Sequence, residues 1–255
     1  MQIAIGVVLA GVVAAIAYRT RALTSSGAVA AFVVGATVFG AGGWPGAAIL
    51  LAFFLPSTLL SRLGNARKRT VGGEAVELSR NAWQVLANGG VAAACMLAAS
   101  RGGTPFAAAF AGAFAAASAD TWGTELGMLS QRPPISIVTF RTIPAGRSGG
   151  VTLLGLAASC AGALMIAFTA ALLRVAPLAS VAVGGIAGAL LDSLLGATLQ
   201  ALRWCPTCRR GCETRRHSCG TPATLRRGLN WMENDAVNFA ATLCGAVVAL
   251  LLATT

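Results

Sequence analysis

Apolar runs of about twenty residues, the length that carries a helix across a bilayer, recur along this chain, and no other feature constrains its fold as strongly. They fall at roughly 2–18, 27–42, 45–61, 82–99, 105–127, 150–173, 177–200 and 235–252. Of the 255 residues, 56% are hydrophobic and only 11% are charged, too little polar surface to coat a soluble globule of this size. Alternating segments of about ten residues, the mark of a membrane β-barrel, are missing. The many Gly and Ala residues instead allow helix backbones to approach closely in lipid, where the hydrophobic effect no longer draws helices together. The expectation is an all-α, polytopic transmembrane bundle of about eight spans, a single integral membrane domain over residues 1–255. The stretch GAGGWPG (40–46) between the second and third runs reads as a short hairpin or a re-entrant turn.

Arginine placement sets the orientation. A net charge of +11 would suit nucleic acid on a soluble protein, but here the basic residues lie between apolar runs and form no single face, so no nucleic-acid partner is expected. With the amino terminus outside, only Arg101 and Arg174 of the 19 basic residues are left on the outer side, as the positive-inside rule requires. Both termini then lie outside, in a multi-pass protein of the cell membrane. The first run has no basic stretch before it, and Arg19 and Arg21 follow it, so it reads as an anchor and not as a signal peptide.

This topology places all eight acidic residues (Glu74, Glu77, Asp120, Glu125, Asp192, Glu213, Glu233 and Asp235) in inner loops or the inner halves of spans. A charge inside a span costs about 2.5–3.5 kcal/mol on insertion scales, so such groups face a cavity, a partner or a metal. The working face is expected to be cytoplasmic. In ASADTWGTELG (117–127), Thr121 and Glu125 share a helical face, whereas Asp120 and Glu125 line up only if the helix opens near Gly123. Asp192 repeats the pattern: GAFAAASADT (112–121) and GGIAGALLDS (184–193) each carry Gly eight residues before Asp, with Thr121 or Ser193 directly after. Two carboxylates on separate helices at a membrane surface suit Mg²⁺, which takes one or two carboxylates and completes its shell with water and phosphate. The alternative is a solvated helix end.

Other polar motifs gather on the same side. IPAGRSGGVTLLG (143–155) leads into a span, with Gly146, Gly149 and Gly150 allowing a tight turn, Arg147 available to phosphate and Ser148 expected as N-cap. A helix start presents unpaired N–H groups to an anion. LNWMENDAVNF (229–239) places Asn230, Asn234 and Asn238 at successive i+4 positions, one stripe whose amides can meet phosphate or a nucleobase edge, or else join helices. RNAWQVLANGG (80–90) adds Gln84 and Asn88. KRTVGGEAVELS (68–79) reads as a solvated basic loop near lipid headgroups.

Four of the seven cysteines lie in CPTCRRGCETRRHSC (205–219), together with the one histidine of the chain. Disulfides are disfavoured in the cytoplasm, and a Cys-x-x-Cys pair with further Cys/His ligands fits structural Zn²⁺. The preferred ligands are Cys205, Cys208, His217 and Cys219, with Cys212 spare, in a Cys/His-rich loop at about 203–233.

Taken in order, RNAWQVLANGG, ADTWGTELG, PAGRSGGVTLLG, LDSLLGATLQ, the Cys/His loop and NDAVNF resemble an integral-membrane family that includes the phytyl-phosphate kinase of vitamin E biosynthesis. The resemblance runs from about residue 20 to the end. It implies phosphoryl transfer from CTP to an isoprenoid monophosphate such as phytyl or geranylgeranyl phosphate. By position it implies a site made of Asp120, Thr121, Glu125, Gly146, Ser148, Gly149, Gly150, Asp192, Ser193, Asn234 and Asn238. Cys212 departs from the family pattern. The residues alone are consistent with this, and no Walker A loop is present. Two other readings remain: a cytidylyltransferase acting on a lipid phosphate, and a transporter, although transport would place polar groups in both membrane halves.

Overall fold

The computed structural model describes residues 2–63, 79–103 and 105–254. Seven helices carry most of them: α1 (Gln2–Arg19), α2 (Ser25–Leu63), α3 (Ala82–Ala99), α4 (Pro105–Gly127), α5 (Leu153–Leu172), α6 (Leu178–Thr198) and α7 (Asn234–Ala253). Among the described residues, six helices are long and apolar enough to cross a membrane, all but α4. Large side chains such as Ile3, Val29, Phe168, Leu172 and Phe239 are exposed around the bundle. An apolar surface this extensive belongs in lipid. The protein is a polytopic helical membrane protein.

The 39 residues of α2 would extend about 58 Å if straight, at 1.5 Å per residue. They do not run straight. At Gly43 the backbone leaves helical geometry, with φ 59° and ψ −151°. A Cβ on Gly46 would lie 3.1 Å from the carbonyl oxygen of Val38, two positions about 12 Å apart along a regular helix. The chain therefore doubles back at Gly43, inside the stretch expected to turn, and Phe39 and Trp44 pack edge to face across the bend at 4.9 Å.

Helix α4 is the axis of the bundle, packed by α2, α3, α5, α6 and α7. Every residue from Ala108 to Ala119 is buried, which explains its run of Ala, Gly and Phe: small residues admit neighbouring backbones, and Phe110, Phe114 and Phe53 fill the wider gaps at ring distances of 5.3 and 5.4 Å. Its apolar stretch ends in Asp120, Thr121, Thr124 and Glu125. The repeated Gly-to-Asp spacing of α4 and α6 has a structural counterpart. Cβ atoms on Gly112 and Gly184 would both fall on Gly245 and Ala249 of α7, 2.5 and 2.6 Å from the Gly245 carbonyl oxygen. Three backbones thus meet at one level. Eight residues on, about 12 Å along each helix, stand Asp120 and Asp192.

The expectation of an all-α chain is corrected by two small antiparallel sheets in the loops. β1 (Ile135–Ser136) pairs with β2 (Gly150–Val151), and β3 (Leu202–Cys205) lies between β4 (Arg210–Cys212) and β5 (Thr224–Arg227). The second sheet carries the Cys/His segment. Residues 68–78 of the basic loop lie outside the described residues.

Candidate functional site

At the polar end of the bundle a cavity of about 690 Å³ opens. It is lined by Asp120, Thr121 and Glu125 of α4, by Asp192 and Ser193 of α6, and by Gly146, Arg147, Ser148, Gly149 and Gly150 of the loop before α5. Gln84 and Asn88 of α3 and Asn234 and Asn238 of α7 complete it. Fourteen residues read from distant motifs thus share one space.

The carboxyl groups of Asp120 and Asp192 lie against each other. One oxygen of Asp192, Oδ2, is buried with no hydrogen-bond partner among the described residues. Two converging hard oxygen donors, one of them unsatisfied, fit a divalent cation. Helix α4 is continuous through Gly123, so the opening that would align Asp120 with Glu125 on one face does not occur. Asp120 and Glu125 both reach the cavity because the space wraps around the end of α4. Thr121 Oγ1 donates to the Ala117 carbonyl at 2.8 Å.

The Gly-rich loop is held differently from the expectation. Helix α5 begins at Leu153, and its N-cap is Thr152, whose Oγ1 accepts from Gly155 N at 3.0 Å. Ser148 is not the cap: it lies four residues too early. Its backbone N–H donates to Glu213 Oε1 at 2.9 Å and its hydroxyl to Glu213 Oε2 at 2.7 Å. Gly149 adopts φ +79°, and a Cβ there would lie 2.4 Å from Ala197 N at the end of α6. Only glycine tolerates both the conformation and the approach.

Asn230 leaves the proposed amide stripe. Helix α7 starts at Asn234, and Asn230, in the preceding turn, accepts from Arg203 Nη2 through its carbonyl at 3.0 Å and its Oδ1 at 3.2 Å. Gln84 and Asn88 line the cavity but also serve α3. Gln84 Oε1 accepts from Asn81 N at 2.9 Å in a capping box, and Asn88 Nδ2 donates to Gln84 O at 2.9 Å.

Sequence reasoning missed three contributors. Arg80 lines the cavity, close enough to Glu125 and Asp120 for charge interaction, and donates to Ser61 Oγ at 3.3 Å. Its sequence position marked it only as a topological arginine. Glu213 also reaches the cavity. Gln200 Nε2, almost wholly buried, donates to Glu213 Oε2 at 3.0 Å. No local pattern announces these contacts, because each joins residues of different elements.

On the β3–β4–β5 sheet, the ligand atoms of Cys205, Cys208, His217 and Cys219 all lie within 4.8 Å of one another. Cys205 Sγ is 3.6 Å and His217 Nδ1 is 3.2 Å from Cys219 Sγ. Cys212 is buried apart, its Sγ on the Thr214 carbonyl at 3.7 Å. Hydrogen bonds from Thr221, and then from His217, hold the Cys219 thiol down to about 5. This favours the thiolate, the form that ligates metal. Three sulfurs and one imidazole make a closed set of four ligands.

Fold and cavity define a polytopic helical membrane protein with a polar chamber at one end of its bundle, reached by Glu213 next to a Cys/His-bearing sheet. The chain belongs to the family described as "Integral membrane protein DUF92", whose model matches residues 8–246. It is 33% identical to Protein PGR of Arabidopsis thaliana over 93% of this chain and 91% of that protein. An uncharacterised membrane protein of Methanocaldococcus jannaschii is 27% identical over 99% of this chain and 94% of its own length. Protein VTE6, chloroplastic, of Arabidopsis thaliana is 24% identical over 90% of this chain and 65% of its own length. No solved structure matches.

Proposed function

We propose that the chain is a membrane kinase that transfers a phosphoryl group from a nucleoside triphosphate, CTP by preference, to an isoprenoid monophosphate such as phytyl or geranylgeranyl phosphate. The observation that carries this reading is the single cavity joining paired carboxylates, a Gly-rich loop with an arginine, and side-chain amides. The same cavity has an apolar flank. Leu156 and Cys160 of α5 and Leu190 of α6 line it and are exposed. An apolar flank beside a charged chamber suits a substrate with a charged head and a hydrocarbon tail.

Asp120 and Asp192 would hold Mg²⁺, with Glu125 as a further ligand or as the group that orients the acceptor. When bound, the ion neutralises charge on the phosphates. Arg147 and the amide of Gly149 face the transferred group, whereas the Gly150 N–H donates to the Arg147 carbonyl at 3.3 Å and braces the loop; Thr121, Ser193, Asn234 and Asn238 fix the nucleotide. An oxygen of the isoprenoid phosphate attacks the γ-phosphorus, the bond to the β–γ bridging oxygen breaks, and CDP leaves. The acceptor is already ionised, so no general base is needed; positioning and charge neutralisation do the work. The remaining parts of the reading are eight passes with both termini outside, a chamber facing the cytoplasm, and Zn²⁺ on Cys205, Cys208, His217 and Cys219 as a structural clip. Clustering of the polar groups at one end of the bundle supports an enzyme over a transporter.

The test is incubation of the detergent-purified protein with Mg²⁺, labelled CTP or ATP, and phytyl or geranylgeranyl monophosphate. CDP and a prenyl diphosphate are expected. Asp120→Asn and Asp192→Asn should each lower kcat by about 10²–10³, as loss of one group stabilising transition-state charge does. Pyrophosphate as product would replace the kinase by a cytidylyltransferase, and wild-type rates in both variants would end the metal assignment.

A further inference from the structure

Ser148 sits in the middle of the Gly-rich loop, yet both of its donors point at one side chain from the Cys/His module. Glu213 accepts the Ser148 N–H at 2.9 Å and the Ser148 hydroxyl at 2.7 Å. A carboxylate gripping an amide and a hydroxyl makes charge-assisted bonds, roughly twice as strong as neutral ones. Glu213 is itself held at both ends. Its Oε2 accepts from Gln200 Nε2 at 3.0 Å, and its carbonyl accepts from Arg203 Nη1 at 3.0 Å. Arg203 is 2% exposed and also reaches Asn230 and Glu233. Glu213 follows directly on β4 and lies between the two halves of the ligand cluster, Cys205 and Cys208 before it and His217 and Cys219 after it. A metal there would fasten both flanks of the segment that presents Glu213. From the other side, the end of α6 presses on the loop through Ala197 and Gly196, within 2.8 Å of where Cβ atoms would stand.

We infer that the Cys/His module is a metal-dependent clamp on the Gly-rich loop, with Glu213 as the positioning residue that transmits metal binding to the phosphate end of the cavity. This rests on reading the loop as a phosphate cradle, and it extends that reading by giving the metal a task beyond holding its own loop together. Glu213 acts through Ser148. It orders residues 146–150 so that the Gly149 amide and the Arg147 side chain keep fixed directions.

The experiment is hydrogen–deuterium exchange on the full chain in detergent, following the peptide that covers residues 143–152, alongside metal analysis and steady-state kinetics. The proteins compared are wild type, Glu213→Ala, Glu213→Gln, Ser148→Ala and the Glu213→Ala/Ser148→Ala double variant, each also after EDTA treatment. In metal-loaded wild type the peptide is protected. Exchange rises about tenfold in Glu213→Ala, the effect of losing one charge-assisted pair of bonds. EDTA produces a similar rise in wild type and little further change in Glu213→Ala. Glu213→Gln, which keeps an acceptor for the Ser148 N–H, recovers part of the protection. The double variant behaves like Glu213→Ala, because the two residues act as one unit. KM for the nucleotide rises in parallel while the thermal midpoint of the bundle stays in place.

Unchanged exchange in Glu213→Ala, unchanged exchange after metal removal, or a metal-free wild type whose peptide is already fully protected would each overturn the clamp. Ser148→Ala removes only the hydroxyl bond and serves if a Glu213 variant fails to fold. The two ideas fail separately. A protein that shows these exchange changes but no phosphoryl transfer loses the kinase reading and keeps the clamp; an active kinase with unresponsive exchange does the reverse.

Discussion

Replacing Gly149 by Ala should inactivate the site while leaving the bundle intact, and the structure fixes the size of the effect. Two penalties coincide at this residue. Its φ of +79° is a conformation that costs an L-residue roughly 1–2 kcal/mol. In addition, the new Cβ would lie 2.4–2.5 Å from Ala197 N, Cα and Cβ, all of them atoms of a rigid helix end. Ordinary Cβ contacts begin at 3.4 Å, so the loop must lift by about 1 Å. A shift of that size in a positioning element lowers catalysis about 10²-fold.

Gly146→Ala is the matched control. Gly146 has nearly the same backbone conformation, φ +81°, but its Cβ would meet only the Met128 side chain, at 3.8 Å. It carries the conformational penalty without the collision. The assay is kcat/KM for nucleotide-dependent phosphorylation of a prenyl monophosphate, together with calorimetric nucleotide binding and the thermal midpoint in detergent. The expected order is wild type, then Gly146→Ala lower by up to about 30-fold, the whole of its 1–2 kcal/mol, then Gly149→Ala lower again. Midpoints should agree within a few degrees. Equal activities for the two variants would refute the reasoning, since only the approach to Ala197 separates them.

Two further outcomes follow from the same contacts. Gly112→Ala places a methyl 2.4 Å from Ala249 Cβ and 2.5 Å from the Gly245 carbonyl oxygen; overpacking of this kind costs about 1–3 kcal/mol, visible as a lower midpoint in fluorescence-detected size exclusion, and an unchanged midpoint would contradict the three-backbone contact. At the Cys/His cluster, Cys208→Ser and His217→Ala should each lose bound metal, whereas Cys212→Ser should retain it, as elemental analysis of the purified proteins would show. Metal loss in Cys212→Ser alone would reverse the ligand assignment.

Much of the site was legible in the sequence because burying polar groups in an apolar layer is expensive. Asp120, Glu125 and Asp192 interrupt long runs of Ala, Leu and Gly, and a membrane chain does not carry such residues without use. The Cys-x-x-Cys pair pointed to a metal site, five Cys/His candidates competed for four positions, and the structure draws the preferred four together. Legibility ended where a role depends on a distant partner. Ser148 looked like an N-cap because it precedes a helix, but Thr152 lies nearer the first turn and takes that place. Asn230 fitted an i+4 stripe only if the helix began before Asn234. Glu213 had no distinguishing neighbour pattern.

Apolar length and period, by themselves, determined that this chain is a helical membrane protein with its polar chemistry at one end of the spans. Those properties follow from the energy of moving each segment into lipid, which a segment pays alone. Tertiary structure decided which helices touch: Gly112, Gly184 and Gly245 bring α4, α6 and α7 to one point, and this sets Asp120 beside Asp192. It also decided that a carboxylate from the Cys/His module grips the Gly-rich loop. Helical periodicity states which face a side chain occupies, whereas the partner on that face is chosen by the packing of the whole bundle.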